Sequence, residues 1–214
     1  MFATISKNGG MLAAFALVTT ALIAFTFFTT QEKIQDQQRL RLLSVLNEVV
    51  PAAYYDNSFY QDCTLVSAPM LGNNSPHVIY RARKNGEPSA LAIETTAPDG
   101  YSGNIELVVG VDTQMNVLGV RAVEHQETPG LGDKIELAIS DWILSFTGKQ
   151  FDSESQDAWR VRKDGGQFDQ FTGATITPRA VVGAVKETLL FVSAHQEALF
   201  SQQNDCATGN EETL

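Results

Sequence analysis

The sequence predicts an α+β protein: an N-terminal transmembrane helix and stalk, then one domain with a twisted antiparallel sheet and helices packed on it. Three observations carry this. No charged residue occurs from Asn8 to Gln31, a stretch rich in Leu and Phe. From Cys63 the chain changes to short β-branched runs separated by turn residues. Further on, Thr177-Pro178 opens a run with Val181, Val182, Val185, Leu189 and Val192 at helical spacing.

The charge-free run is long enough to cross a hydrocarbon layer of ~30 Å as a helix. A cleavable signal peptide is the rival, with Ala21 or Ala24 as the small residue before a cut. The run is longer than a usual signal and continues without a turn, which favours an uncleaved anchor. Lys7 stands alone before it, whereas Lys33, Arg39 and Arg41 follow it. By charge count alone, the large domain would lie on the cytoplasmic side. Residues 31–50 read as a stalk helix with Leu40, Leu43, Val45, Leu46 and Val49 buried, ended by Pro51. The expected organisation is an anchor at 1–31, a stalk and linker at 32–62, a domain at 63–200 and a flexible tail at 201–214.

Within the domain, four strands fit one meander: 78–83, 90–96, 105–111 and 117–123. Asn85-Gly86 is a hairpin signal between the first two, and Pro98-Asp99-Gly100 breaks the chain after the second. Residues 133–146 read as a helix, with Ile135, Ile139, Trp142, Ile143 and Phe146 on one face and Gly148 ending it. Residues 159–161 read as a last strand, and the closing helix runs from Thr177 to about Phe200.

A net charge of −10 and a pI near 4.7 argue against a nucleic-acid binder, which needs a basic face. Cys63 and Cys206 are too few for a zinc or iron–sulfur site; a disulfide and two unpaired thiols both remain open. There is no His-Glu-x-x-His, Gly-x-Gly-x-x-Gly, Walker or Gly-x-Ser-x-Gly pattern, so no metal ligand and no catalytic residue is assigned. His77 and His195 read as surface residues.

The stretch from Asp169 to Pro178 attracts most notice. Thr177 reads as an N-cap and Pro178 as the first helical residue, so a helix N-terminus follows, with unpaired N–H groups suited to a phosphate. Gly173 and Ala174 remove bulk ahead of a hydroxyl, Thr175. On spacing alone an ordinary loop before a well-capped helix is the commoner reading, because capping signals outnumber ligand sites. Thr175 as a hydrolytic nucleophile would need an adjacent base, and none is visible. Two more glycine-rich loops, 99–103 and 125–132, could converge with this one and with Lys163-Asp164-Gly165-Gly166 at one sheet edge.

Asp169-Gln170-Phe171-Thr172-Gly173-Ala174-Thr175 resembles the flavinylation motif of a family of FMN-binding subunits: Asp, two variable residues, Ser or Thr, Gly, Ala, Thr. Those subunits belong to the Rnf (Rsx) electron-transport complex and the sodium-pumping NADH:quinone reductase. The likeness extends to the anchor, the 99–103 loop, Glu127-Thr128-Pro129-Gly130-Leu131-Gly132 and the Lys163 loop, and is nearer to the Rnf branch, the RnfG type. It implies FMN held covalently, as a phosphoester on Thr175 made by an FMN transferase. Tyr101, Ser102, Gly103, Glu127, Thr128, Gly130, Leu131, Lys163, Thr172, Gly173 and Ala174 are the further candidates for the flavin site. It also implies partners in the same complex, electron relay without independent turnover, and a single span in the bacterial inner membrane. The domain would then be periplasmic, against the charge count, and in that compartment a Cys63–Cys206 disulfide is favoured. The alternative function is a periplasmic small-anion binding or sensor module without covalent cofactor.

Overall fold

Helix α1, Phe2–Val49, opens a computed structural model that describes residues 2–206. The chain divides into two units, Met1–Leu43 and Ser44–Leu214. In the first, Ser6–Gln31 is long and apolar enough to cross a membrane, and Met11, Leu12, Phe15, Leu17, Phe25 and Phe28 are exposed along it. The hydroxyls of Thr19, Thr26, Thr29 and Thr30 donate to carbonyls one turn back. A threonine that satisfies itself in this way costs little in lipid.

The second unit is built on a five-stranded antiparallel meander: β1 (Cys63–Ala68), β2 (Asn73–Lys84), β3 (Glu87–Gly100), β4 (Gly103–Asp112) and β5 (Val117–Glu124). Four strands were expected. β1 escaped notice because it is short and alternates imperfectly, with a register shift between Val66 and Ala68. Asn85 and Gly86, both at positive φ, form the β2–β3 turn. The chain does not break at Pro98-Asp99-Gly100. β3 runs through them, with its register shifted between Ala97 and Gly100 where proline is tolerated.

Helix α2, Ile176–Ser201, covers one face of the sheet. Val181, Val182, Val185, Leu189 and Val192 are buried against Ile79, Leu91, Ile93, Leu107 and Val109. At about 1.5–3 kcal/mol per fully buried aliphatic side chain, an upper bound, this contact dominates the domain's stability. Thr188 and Thr95 set their buried hydroxyls 2.9 Å apart within it. On the other face, the last turn of α1 and the residue after it insert Leu46, Val49 and Val50, all fully buried. Gly110 and Gly119 pair across β4 and β5, and a Cβ at Gly110 would lie 2.0 Å from the Val49 carbonyl oxygen. Of the expected stalk positions, Leu40 is exposed rather than buried.

Residues 133–146 are not a helix. They form two 3-10 turns, Asp133–Ile135 and Asp141–Phe146. Ser140 is extended and its Oγ accepts the Trp142 N–H, which starts the second turn afresh. Ile135, Ile143 and Phe146 are buried while Ile139 is half exposed, so the apparent helical stripe was not one face. Residues 159–161 do not join the sheet either. Trp159 ends a 3-10 turn, Ser153–Ala158, and Val161 makes an isolated parallel bridge to Phe168. These segments are organised by an aromatic cluster in which Phe146 stacks on Phe168 at 4.4 Å, with Trp159 5.3 Å from Phe168 and Trp142 5.0 Å from Phe171. Aromatic burial, not helix periodicity, decides this region. His77 is buried, contrary to expectation, and its Nε2 lies 3.3 Å from Thr96 Oγ1; His195 is exposed.

The far end of α2 is fastened to β1. Arg81, 2 % exposed, donates to the Asp62 carboxylate and to the Leu199, Gln202 and Cys63 carbonyls, so its charge is paired and caps the helix end. Cys63 and Cys206 form a disulfide. Residues 202–206, expected to fray, are instead held: Thr64 Oγ1 donates to Gln202 Oε1, and the Asp205 N–H to the Cys63 carbonyl. The remainder of the expected tail, 207–214, lies outside the described residues. The bridge spans 143 residues of sequence. Replacing both cysteines by serine should cost about 2–5 kcal/mol in a urea titration, and added reductant should reproduce that loss in the wild type.

Candidate functional site

Three loops meet beside the N-terminus of α2, as their glycine content suggested. The first is the β3–β4 turn, where Gly100 pairs with Gly103 and Tyr101 stands exposed. The second follows β5, where the N–H groups of Leu131 and Gly132 both bond the Thr128 carbonyl. The third is the motif loop. Phe168 and Phe171 are anchored in the aromatic cluster, and Trp142 Nε1 donates to the Asp169 carbonyl at 2.7 Å. Between them and α2 lies a turn closed by the Ala174 N–H on the Phe171 carbonyl, with Gly173 at φ +85. A left-handed residue at that place in a turn is why glycine stands there.

The cleft between the loops has a volume of about 320 Å³. Of the expected residues it is lined by Tyr101, Glu127, Thr128, Leu131, Gly173, Ala174 and Thr175. Gly132, Ile176 and Thr177 complete the lining; two of them directly follow Thr175, and treating them as mere helix start concealed their place. Five candidates do not line it: Ser102, Gly103, Gly130, Lys163 and Thr172. Ser102 instead donates its backbone N–H to Glu127, and Gly130 donates its own to Asp133 Oδ2. Thr172 is exposed on the turn, and Lys163 is exposed on a 3-10 turn, Arg162–Asp164, whose backbone bonds Gln170. A larger groove of about 480 Å³ lies beyond Ile176, along Met70, Pro98 and Gly183, and does not include Thr175.

The helix cap is shifted from its expected position. Thr175, not Thr177, is the N-cap residue, and Ile176 begins the helix. Thr177 is buried, and its hydroxyl donates to Glu127 Oε2. Thr175 adopts φ −80 and ψ −23 and makes no side-chain capping bond. Its hydroxyl is therefore not spent on the helix, while the first-turn N–H groups keep their attraction for an anion.

Glu127 ties the loops together. It is 5 % exposed, and besides the Thr177 hydroxyl it accepts the Ser102 N–H on Oε1 at 2.9 Å. His125, two residues earlier, accepts the Glu127 N–H on Nδ1 at 3.2 Å and sets Nε2 2.8 Å from Glu136 Oε1. Arg179 on the first turns of α2 grips Asp164 with two bonds of 2.6 and 2.7 Å. Those hydrogen bonds, more than charge attraction, hold the Asp164 carboxyl below the usual carboxylate range. Arg162 pairs likewise with Asp169 at 2.7 Å.

A protein class is now in view. Residues 100–190 match a family model described as FMN-binding domain, and residues 1–49 match one described as RnfG N-terminal region. Chains named as the G-type component of the ion-translocating oxidoreductase complex, from Vibrio cholerae serotype O1 and Pseudoalteromonas atlantica, are 56% and 57% identical over 96% and 94% of this chain. The matches cover 99% and 94% of those relatives. The chain belongs to their family, the RnfG components of ion-translocating oxidoreductase complexes. A crystal structure of Shewanella oneidensis NqrC aligns with a TM-score of 0.45 and 22% identity, over 68% of this chain and 74% of that one.

Two outcomes are expected from this geometry. A Cβ on Gly132 would lie 2.8 Å from Glu127 Oε2 and 2.9 Å from Thr177 Oγ1, although the backbone there, φ −87, accepts any residue. Gly132→Ala should thus cost about 1–3 kcal/mol in chemical denaturation through displacement of the carboxylate. Asp164 has its folded value depressed, so its contribution to stability is present above the ordinary carboxylate range and is lost as pH falls through the lowered value. Melting temperature followed against pH should show this acid-side loss in the wild type, diminished in Asp164→Asn.

Proposed function

We propose that this chain carries FMN as a phosphoester on Thr175 and relays electrons within a membrane-bound, ion-translocating electron-transport complex. The observation that carries the reading is the Thr175 hydroxyl: half-buried, free of a capping bond, at a helix N-terminus and facing a cleft made by three loops. The residues present suit the group. The N–H groups of the first turn of α2 would serve a phosphate linked at Thr175, which a helix end stabilises by about 0.3–1 kcal/mol. Gly173 leaves open space beside Thr175, the nearest contact of an added Cβ being Leu131 Cδ2 at 3.8 Å. Tyr101, Leu131 and Ile176 present apolar surface at the rim for a flat ring, being 67, 43 and 47 % exposed. Bound there, FMN would supply reversible electron chemistry that no side chain of the cleft offers.

Attachment requires an activated flavin phosphate. Thr175 Oγ1 would give up its proton and attack the flavin-side phosphorus of a dinucleotide, forming the ester P–O bond as the anhydride bond breaks and a nucleoside monophosphate leaves. A dedicated FMN transferase would bring the donor, recognising the exposed Thr172 and the Asp169 carboxylate on the same loop. Lys163, Ser102, Gly103 and Gly130 would act around the cleft, by charge or by loop shape, without lining it.

The remaining subunits of the complex are the partners in this reading. The anchor, 1–31, would span the bacterial inner membrane once, followed by the stalk and linker at 32–62, the flavin domain at 63–200 and the tail. The Cys63–Cys206 disulfide supports a domain exposed to an oxidising compartment, the periplasm, and outweighs the small charge bias near the helix.

Intact-mass analysis of the full chain, produced with and without the transferase, tests the proposal. Added mass of one esterified FMN on the Thr175 peptide is expected only with the transferase. Thr175→Ala should abolish both that mass and the fluorescence of the band on a denaturing gel. An unmodified peptide from transferase-containing cells would overturn it in favour of a small-anion binding module.

A further inference from the structure

Glu127 is the one charged side chain lining the cleft among the described residues, and its surroundings are built around its carboxylate. Gly132 leaves it room, since a Cβ there would lie 2.8 Å from Oε2; a Cβ on Gly100 would meet the Gly103 carbonyl oxygen at 2.2 Å, ahead of Oε1 at 3.0 Å. Both oxygens act as acceptors, from the Ser102 N–H and the Thr177 hydroxyl. Oε1 and Oε2 are thereby committed within the chain. Tying the loops does not itself need a charge, since a glutamine could accept from Ser102 and donate to Thr177 with its amide. The carboxylate thus brings something beyond shape: a fixed negative charge, 5 % exposed, in the wall of the cleft.

We infer that Glu127 is a positioning residue whose buried charge sets the redox potential of the group bound at Thr175, holding it lower than a neutral cleft would. This rests on the proposed function above. Electrons entering the cleft add negative charge close to a carboxylate that water screens poorly, so the reduced state is disfavoured. The charged and polar neighbours do not cancel it. Asp133 is itself acidic and turns Oδ2 to the Gly130 N–H; His125 accepts the Glu127 backbone N–H on Nδ1 and sets Nε2 against Glu136, so its ring nitrogens are turned to other groups than the Glu127 carboxylate. The N-terminus of α2 acts in the opposite sense, but the linking phosphate takes up that influence first. The Thr177 hydroxyl is the group that moderates the carboxylate, through its donated hydrogen.

The test measures the midpoint potential of the full chain, produced with the transferase, at pH 8 and at low and high salt. Glu127→Gln keeps the size of the side chain and should shift the potential to a more positive value, with the flavin mass retained. Thr177→Val keeps the carboxylate and removes its donor, and should shift the potential to a more negative value; Thr177→Ser should restore it. Asp99→Asn, which removes an exposed charge on the neighbouring turn, should leave it in place. The shift in Glu127→Gln should persist at high salt, as that of a buried charge does. Flavinylated Glu127→Gln at the wild-type potential, or shifts of the same sign in Glu127→Gln and Thr177→Val, would overturn the inference while leaving the functional proposal standing. Should Glu127→Gln fail to fold, the sign of the Thr177→Val shift decides. A wild-type chain without flavin mass would instead remove the functional proposal and this inference together.

Discussion

A buried carboxylate that receives two hydrogen bonds from two distant parts of the chain is the interaction on which the site depends. Glu127 follows β5, Ser102 lies in the β3–β4 turn and Thr177 belongs to α2. Ladder pairing ends at Gly100–Gly103 and Glu106–Glu124, just short of these segments, so side-chain chemistry completes their placement. Hydrogen bonds to a charged group contribute about 1.5–3 kcal/mol each, more than neutral ones, and a buried carboxylate deprived of donors is costly. That asymmetry makes the three-way junction all-or-nothing. It also accounts for the glycine at 132, where an added Cβ would meet Glu127 Oε2 at 2.8 Å.

Around this junction, α2 is immobilised at both ends by different means. Its first turns are fixed by Thr177 on Glu127 and by Arg179 on Asp164. Its last turn is fixed by Arg81, which gathers the terminal carbonyls, and by the disulfide just beyond. Between them runs an apolar stripe packed on β2, β3 and β4. The motif loop is gripped in turn by aromatic rings, with Phe168 and Phe171 on one side and Trp142 on the other. Thr175 therefore sits between two segments that are each held by several contacts, the support that a precisely placed group requires.

Much of this was legible in the residues. The long charge-free helix, the meander with its Asn85-Gly86 turn, the closing helix and the convergence of three glycine-rich loops all follow from local signals. What was not legible had a common cause, namely that tertiary contacts override short-range pattern. Ile135, Ile139 and Ile143 imitate a helical stripe, but rings from Phe146, Trp159 and Phe168 dictate tight turns there instead. Thr177 looks like a cap because it precedes proline, yet a carboxylate fifty positions earlier in the chain draws its hydroxyl inward. Likewise nothing near His77 in the sequence announces that Thr96 will lie against it.

The strict succession of the strands has a bearing on how the domain is made. Each strand of the sheet pairs with its neighbour in sequence, so the meander can assemble by successive short loop closures, in the order of synthesis. The element that seals its apolar face, α2, emerges after all of them. The cysteines lie at the two extremes of that schedule: one at the first residue of β1, the other just past α2. Oxidation of the pair must therefore wait until α2 has been synthesised, and the bond can serve as a latch thrown late. A chain arrested before its second helix would keep a lone thiol at the edge of an open sheet, chemically marked as incomplete.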